Sequence, residues 1–92
     1  MKPNAIALDS NLLLLYVVGS ASRGYIAKHK RLYPAYTEAD FDLLVEKLSD
    51  FSVLTLTPNT VSETSNLIDH ISDPARTHIY QVLRALLAAL PA

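Results

Sequence analysis

Apolar residues fall along this chain in two patterns, short unbroken runs and longer stretches with helical spacing. Ala5-Ile6-Ala7-Leu8 is unbroken and predicts a strand buried on both faces of a parallel sheet. Asp9 ends it. Ser10 or Asn11 is suited to cap the helix that follows, whose apolar stretch Leu12 to Val18 stops at Gly19, a residue suited to the left-handed conformation past a helix end. From Ser20 to Tyr36 the pattern is irregular and predicts a short helix followed by a loop, with Pro34 closing any helix there. Thr37-Glu38-Ala39-Asp40 resembles a capping box with Asp in place of Glu, and Phe41, Leu44, Val45 and Leu48 then recur at helical spacing. Phe51 to Leu56 reads as a second buried strand, and Thr57-Pro58 supplies a cap and a proline at the first helical position. That helix has Val61, Leu67, Ile68 and Ile71 on its apolar face. Asp73-Pro74 opens another, with Ile79, Val82, Leu83, Leu86, Leu87 and Leu90 on one side and Pro91-Ala92 at its end.

Two strands thus alternate with four or five helices. Strands too far apart for a hairpin need crossover connections, so the fold class predicted is α/β, a short parallel sheet with flanking helices. Ninety-two residues make one small domain, which buries about two-thirds of the surface its unfolded chain exposes. A two-stranded parallel sheet leaves both edges bare, so the pattern reads as an unfinished α/β domain spanning residues 1–92. No repeat, low-complexity tract or linker interrupts it.

Composition sharpens this picture. The chain is 50% hydrophobic and 18% charged, against about 25% charged in typical domains, which predicts an apolar face covered by a second copy or by another protein. The net charge of −1 gives no global footprint for nucleic acid or anionic lipid, so contact with either must rest on a local patch. Cysteine is absent, which excludes a disulfide scaffold, a thiolate metal site and a cysteine nucleophile. The run Leu12 to Val18, with Lys2 before it and Gly19-Ser20-Ala21 after it, has the outline of a signal peptide. Asp9, Ser10 and Asn11 interrupt its approach, and it is shorter than the roughly 20 residues that span a bilayer. A cytoplasmic protein with no membrane partner is expected.

Chemistry is expected beyond the carboxyl ends of the strands, where open parallel sheets bind ligands and where Asp9 stands. Glu63 lies about a turn and a half into the helix that begins at Thr57-Pro58, and it shares that end of the sheet if the strands are neighbours. Carboxylates with no histidine or cysteine near them favour Mg²⁺ or Mn²⁺. A plain helix cap at Asp9 and a solvated helix face at Glu63 account for the same residues without chemistry. Arg23, Lys28, His29, Lys30 and Arg31, with Tyr25, Tyr33 and Tyr36 among them, suit phosphate contact and base stacking in RNA binding; they equally suit a solvated helix with tyrosines packed inward. His70 and His78, eight residues apart across Pro74, lack metal-ligand spacing and are expected at the surface.

The segment AIALDSNLLLLYVVG resembles the opening of PIN-domain proteins, the nuclease family that includes the toxins of many toxin-antitoxin pairs. FSVLTLTPNTVSETSNLI is similar to that family's second strand and following helix, and KRLYPAYTEADFDLLVEKL fits a PIN-like subgroup. The likeness covers roughly residues 5 to 70. It implies a Rossmann-like three-layer domain and hydrolysis of RNA, in which a cluster of acids holds one or two Mg²⁺ or Mn²⁺ ions that polarise the phosphodiester and generate hydroxide from bound water. Asp9 matches the family's first acid and Glu63 its second. By the same resemblance Ser10, Asn11 and Asn66 would orient these carboxylates or their waters through hydrogen bonds, and an antitoxin would be a partner.

Family members continue through strands that bring a third and usually a fourth acid, so the resemblance makes this a partial PIN-like domain. Asp69, six residues after Glu63, lies about 600° further round a helix and projects elsewhere; Asp73 is better explained as a cap before Pro74. Two functions follow as expectations: a Mg²⁺-dependent ribonuclease of toxin type, or a truncated, inactive PIN-like protein acting as an assembly or regulatory partner. A third is a helical interaction module without PIN ancestry, in which Asp9 and Glu63 merely cap or solvate helices; a helical first apolar run would support it.

Overall fold

The computed structural model describes residues 5–90. Lys2, Pro91 and Ala92, which entered the signal-peptide comparison and the expected end of the last helix, lie outside them. The first apolar run is extended: β1, Ala5–Ala7, pairs in parallel with β2, Val53–Thr55, in the register Ala5 with Val53, Ile6 with Leu54 and Ala7 with Thr55. The extended first run withholds the support that a helical run would have given to a helical interaction module. Around this ribbon lie α1 (Ser10–Ala21), a 3-10 helix (Arg23–Lys28), α2 (Glu38–Leu48), α3 (Pro58–Ile68) and α4 (Ala75–Ala89). The fold is mixed α/β with a parallel crossover, in agreement with the pattern.

The helix α1 is the centre of the molecule, and its composition explains why. A helix apolar all round has no face to offer water and is stable only when surrounded. Leu13, Leu14, Leu15, Val17 and Val18 are all buried, with α2, α3, α4 and the 3-10 helix packed about them. The outer helices are amphipathic and turn one stripe inward: Phe41 and Leu44 from α2, Leu67 and Ile68 from α3, Ile79 and Leu83 from α4. Thr37 and Asp40 form the expected capping box, each side chain accepting the other's backbone N–H. Thr57 caps α3 with Pro58 directly after it, also as expected.

Four expectations need correcting. Neither Ser10 nor Asn11 caps α1; Asp9 does, its Oδ1 accepting the Leu12 N–H at 2.8 Å. Gly19 does not end that helix but lies buried within it, where the Phe41 ring covers its Cα so closely that a Cβ would fall under 3.0 Å from the ring. Close approach, not a left-handed turn, is what the missing side chain permits. The strands are not buried on both faces: Ile6 and Leu54 turn inward, while Ala5, Ala7, Val53 and Thr55 are exposed. Alternation, the period of a strand with one covered face, therefore replaces two-sided burial. Val45, placed on the apolar face of α2, is also exposed.

Candidate functional site

Because β1 and β2 are adjacent and parallel, the chain leaves both strands at the same edge of the ribbon, at Asp9 and at Thr57. From there α1 and α3 run against each other. Thr64, wholly buried on α3, donates its hydroxyl to the backbone carbonyl of Ser10 at 3.4 Å. The immediate chain neighbours of Asp9 and Glu63 are thus in contact, although 54 residues separate Ser10 from Thr64. Thr64 was missed in the sequence, yet it sits in the middle of the Val61, Thr64, Ile68 stripe, the spacing of an inward face.

The two carboxylates differ in their surroundings. Asp9 is exposed, and its Oδ1 is fixed by the cap while Oδ2 has no hydrogen-bond partner among the described residues. Glu63 is exposed, and its side chain has neither hydrogen bond nor ion pair among them. Ser10 and Asn11 occupy the first turn of α1 half-buried, and Asn66 is exposed on α3. No side-chain hydrogen bond ties any of these three to either acid. Among the described residues no group of three or more histidine or acidic side chains is arranged to hold a metal. A pair of exposed carboxylates offers only oxygen donors, which fits an ion such as Mg²⁺ that keeps several of its waters.

The basic segment is divided by the fold. Arg23 is paired with carboxylates: its Nε and Nη2 grip Asp42 at 3.2 and 2.7 Å, its Nη1 lies 3.3 Å from Glu38, and it clamps the 3-10 helix to α2. Lys28, Lys30 and Arg31 are exposed and have no carboxylate partner among the described residues. His29 is wholly buried, a position its charged neighbours gave no reason to expect. Its Nε2 donates to the Leu67 carbonyl at 2.9 Å, and its Nδ1 accepts the Arg31 N–H at 3.1 Å, which requires the neutral Nε2–H tautomer. Burial lowers its pKa; the Leu67 bond opposes that shift, and His70, with its ring 6.3 Å away, adds to it. His70 and His78 are at the surface as expected, and Tyr25 meets His78 edge to face with ring centres 5.8 Å apart.

Asp69 and Asp73 join neither candidate acid in the hydrogen bonding. Asp69 accepts from the Tyr80 hydroxyl at 2.8 Å. Asp73 accepts from the Thr77 N–H and hydroxyl at 3.0 and 2.7 Å, but the N-cap of α4 is Pro74, so Asp73 stands one residue before the cap position expected of it. An apolar hollow of about 420 Å³ opens between Ile6, Tyr16, Leu48, Phe51, Leu54 and Leu86, with exposed Val53 also lining it. Among the described residues no helix is long and apolar enough to cross a membrane. The chain matches no family model, no curated protein and no solved structure.

Proposed function

We propose that the chain is a PIN-like domain of a metal-dependent ribonuclease, in which Asp9 and Glu63 hold a hydrated Mg²⁺ or Mn²⁺ ion. The observation behind this reading is the bond from Thr64 to Ser10, which ties α3, next to Glu63, to the start of α1, next to Asp9, beyond the carboxyl ends of the strands where parallel sheets place their ligands. When bound, such an ion polarises a phosphodiester and lowers the pKa of a coordinated water. The α1 cap fixes one oxygen of Asp9 and leaves Oδ2 for the ion's shell. With two protein carboxylates, the remaining ligands are waters and phosphate oxygens of the RNA, so metal affinity rises when RNA is present.

The test pairs calorimetric Mn²⁺ titration, with and without RNA, with a cleavage assay on single-stranded RNA. Asp9→Asn retains a capping side chain and Glu63→Gln retains its size, so both variants keep the parent's circular dichroism. Both should lose metal binding and cleavage together. Cleavage unchanged in Asp9→Asn removes Asp9 from the mechanism.

A second reading is favoured by the cap itself. Oδ1 of Asp9 already serves α1, whose N-terminus carries partial positive charge and disfavours a cation beside it. In that reading the protein is a non-catalytic PIN-like partner that assembles through the bare sheet face and the neighbouring apolar hollow. Sedimentation distinguishes the two: a second copy on this face gives a dimer that Val53→Lys dissociates, whereas the ribonuclease reading needs no such dependence. An antitoxin occupying the same face would belong to the ribonuclease reading.

A further inference from the structure

Past the far end of α3, the 3-10 helix and the turn after it face the α3–α4 connection across an open cleft of about 520 Å³. Tyr25, Lys28, Lys30, His70, Ser72 and Asp73 line it. Beyond Lys30 and His70 it continues into a polar depression that adds Asp69 and Arg76. Buried His29 anchors the wall that carries the lysines. Its ring is pinned inward by Leu67 and by the Arg31 N–H, and the residues on either side of it, Lys28 and Lys30, both border the cleft.

The cleft and its extension carry three cationic and two anionic side chains, an excess of one positive charge. Neither lysine has a carboxylate partner among the described residues. Asp73 is engaged by Thr77 and by Arg76 at 3.1 Å, and Asp69 by the Tyr80 hydroxyl. Lys28, Lys30 and Arg76 therefore face two carboxylates, of which Asp73 is paired with Arg76 and Asp69 has one oxygen engaged, so the two lysines are the cations left for a ligand. Tyr25 adds an aromatic surface, steadied edge-on by His78. The volume lies within the roughly 300 to 1,000 Å³ of small-molecule sites.

We propose that this cleft binds a nucleotide, its phosphate between Lys28 and Lys30 and its base against Tyr25. Ammonium groups serve phosphate as point charges, and stacking on a tyrosine tolerates any base. The ligand is a free nucleoside monophosphate or the phosphorylated end of an RNA strand, and both present the same chemistry. The site contains neither Asp9 nor Glu63, so it stands or falls apart from the metal site.

The experiment is a ¹H–¹⁵N NMR titration of the full chain with adenosine monophosphate, adenosine, inorganic phosphate, and a short oligonucleotide with or without a 5′-phosphate. Adenosine monophosphate should shift the amides of Lys30, His70 and Ser72 and bind at least about tenfold more tightly than adenosine, with affinity falling as salt rises. Lys28→Gln and Lys30→Gln should each weaken it about tenfold while the rest of the spectrum stays in place. Tyr25→Leu should weaken the nucleotide but not inorganic phosphate. A 5′-phosphorylated strand that binds more tightly than the mononucleotide identifies the strand end as the ligand; equal or weaker binding identifies the free nucleotide. Absence of shifts at millimolar nucleotide overturns the proposal, and so does equal binding of adenosine or indifference to both lysine substitutions.

Discussion

Replacing Gly19 by alanine sets two effects of known size against each other. Within a helix, alanine is favoured over glycine by roughly 0.5 to 1 kcal/mol, so on propensity alone the variant should be more stable. The new Cβ, however, falls under 3.0 Å from three atoms of the Phe41 ring, Cγ, Cδ1 and Cε1. A phenyl ring is rigid and cannot bend aside at its tip, and Phe41 is itself buried against the core. Overpacking of this kind costs about 1 to 3 kcal/mol, and three ring atoms in the path place this site in the upper part of that range. The net expectation is a loss of about 1 to 2 kcal/mol, or roughly 5 to 15 °C in melting temperature for a domain of this length. Urea unfolding followed by circular dichroism measures it through the midpoint at constant slope. The mechanism makes a sharper demand on a double variant. In the Phe41→Leu background a branched, rotatable tip replaces the ring, so Gly19→Ala should cost at least about 1 kcal/mol less than in the parent. Additive behaviour, or a Gly19→Ala variant at least as stable as the parent, would refute the close-packing account of this glycine.

Two further expectations concern pH. Burial depresses the folded-state pKa of His29, so the unfolded chain takes up this proton first as pH falls below about 6.5; stability should decline from there until the folded value is reached, and His29→Gln should flatten that part of the curve of urea midpoint against pH. Parent and variant curves of equal slope would show that His29 is not held neutral. Asp73 has its pKa lowered, first by the Thr77 hydroxyl, then by Arg76 and the Thr77 N–H, so its contribution is present above its ordinary value near 3.8 and is lost as pH falls through the lower folded one. Asp73→Asn should therefore reduce the acid-side loss of stability, and an identical acid limb in parent and variant would count against that assignment.

Element identity was legible wherever local chemistry acts alone. Thr37 with Asp40 and Thr57 with Pro58 fix the starts of α2 and α3 through bonds closed within a few residues, and both were readable from neighbouring letters. Gly19, His29 and Thr64 were misread or missed because tertiary partners decide each of them. Phe41, 22 residues on from Gly19, makes that glycine a packing site, and the Leu67 carbonyl makes His29 a core residue. The ion pairing of Arg23 was hidden for the same reason, since in the basic run nothing sets it apart from Lys28 until Asp42 comes within 2.7 Å. Two-sided burial of the strands failed differently: Ala5 and Ala7 count as apolar in a pattern, but a methyl group tolerates water at little cost, so such a run does not require a second covering layer.

The helix α3 relates the candidate acidic edge to the basic cleft. Glu63 stands at its middle and His70 just past its end, and seven residues at a helical rise of 1.5 Å separate them by about 10 Å. Two polar bonds hold the C-terminal half of α3, Thr64 to Ser10 on α1 and, about one turn further on, Leu67 to His29. An unpaired buried polar group costs about 1 to 3 kcal/mol, so each bond resists displacement of the helix against its own partner. Apolar stripes alone would let α3 slide or roll against α1, since one leucine packs much like the next. The two polar contacts remove that freedom and set the register of Glu63 relative to Asp9, and of His70 relative to Lys28 and Lys30. Thr64→Val, close in size but without the hydroxyl, should therefore disturb metal binding at Asp9 and Glu63 more than nucleotide binding at the lysines. Equal effects on both sites would show that α3 moves as one body and that the Thr64 bond does not set its register locally.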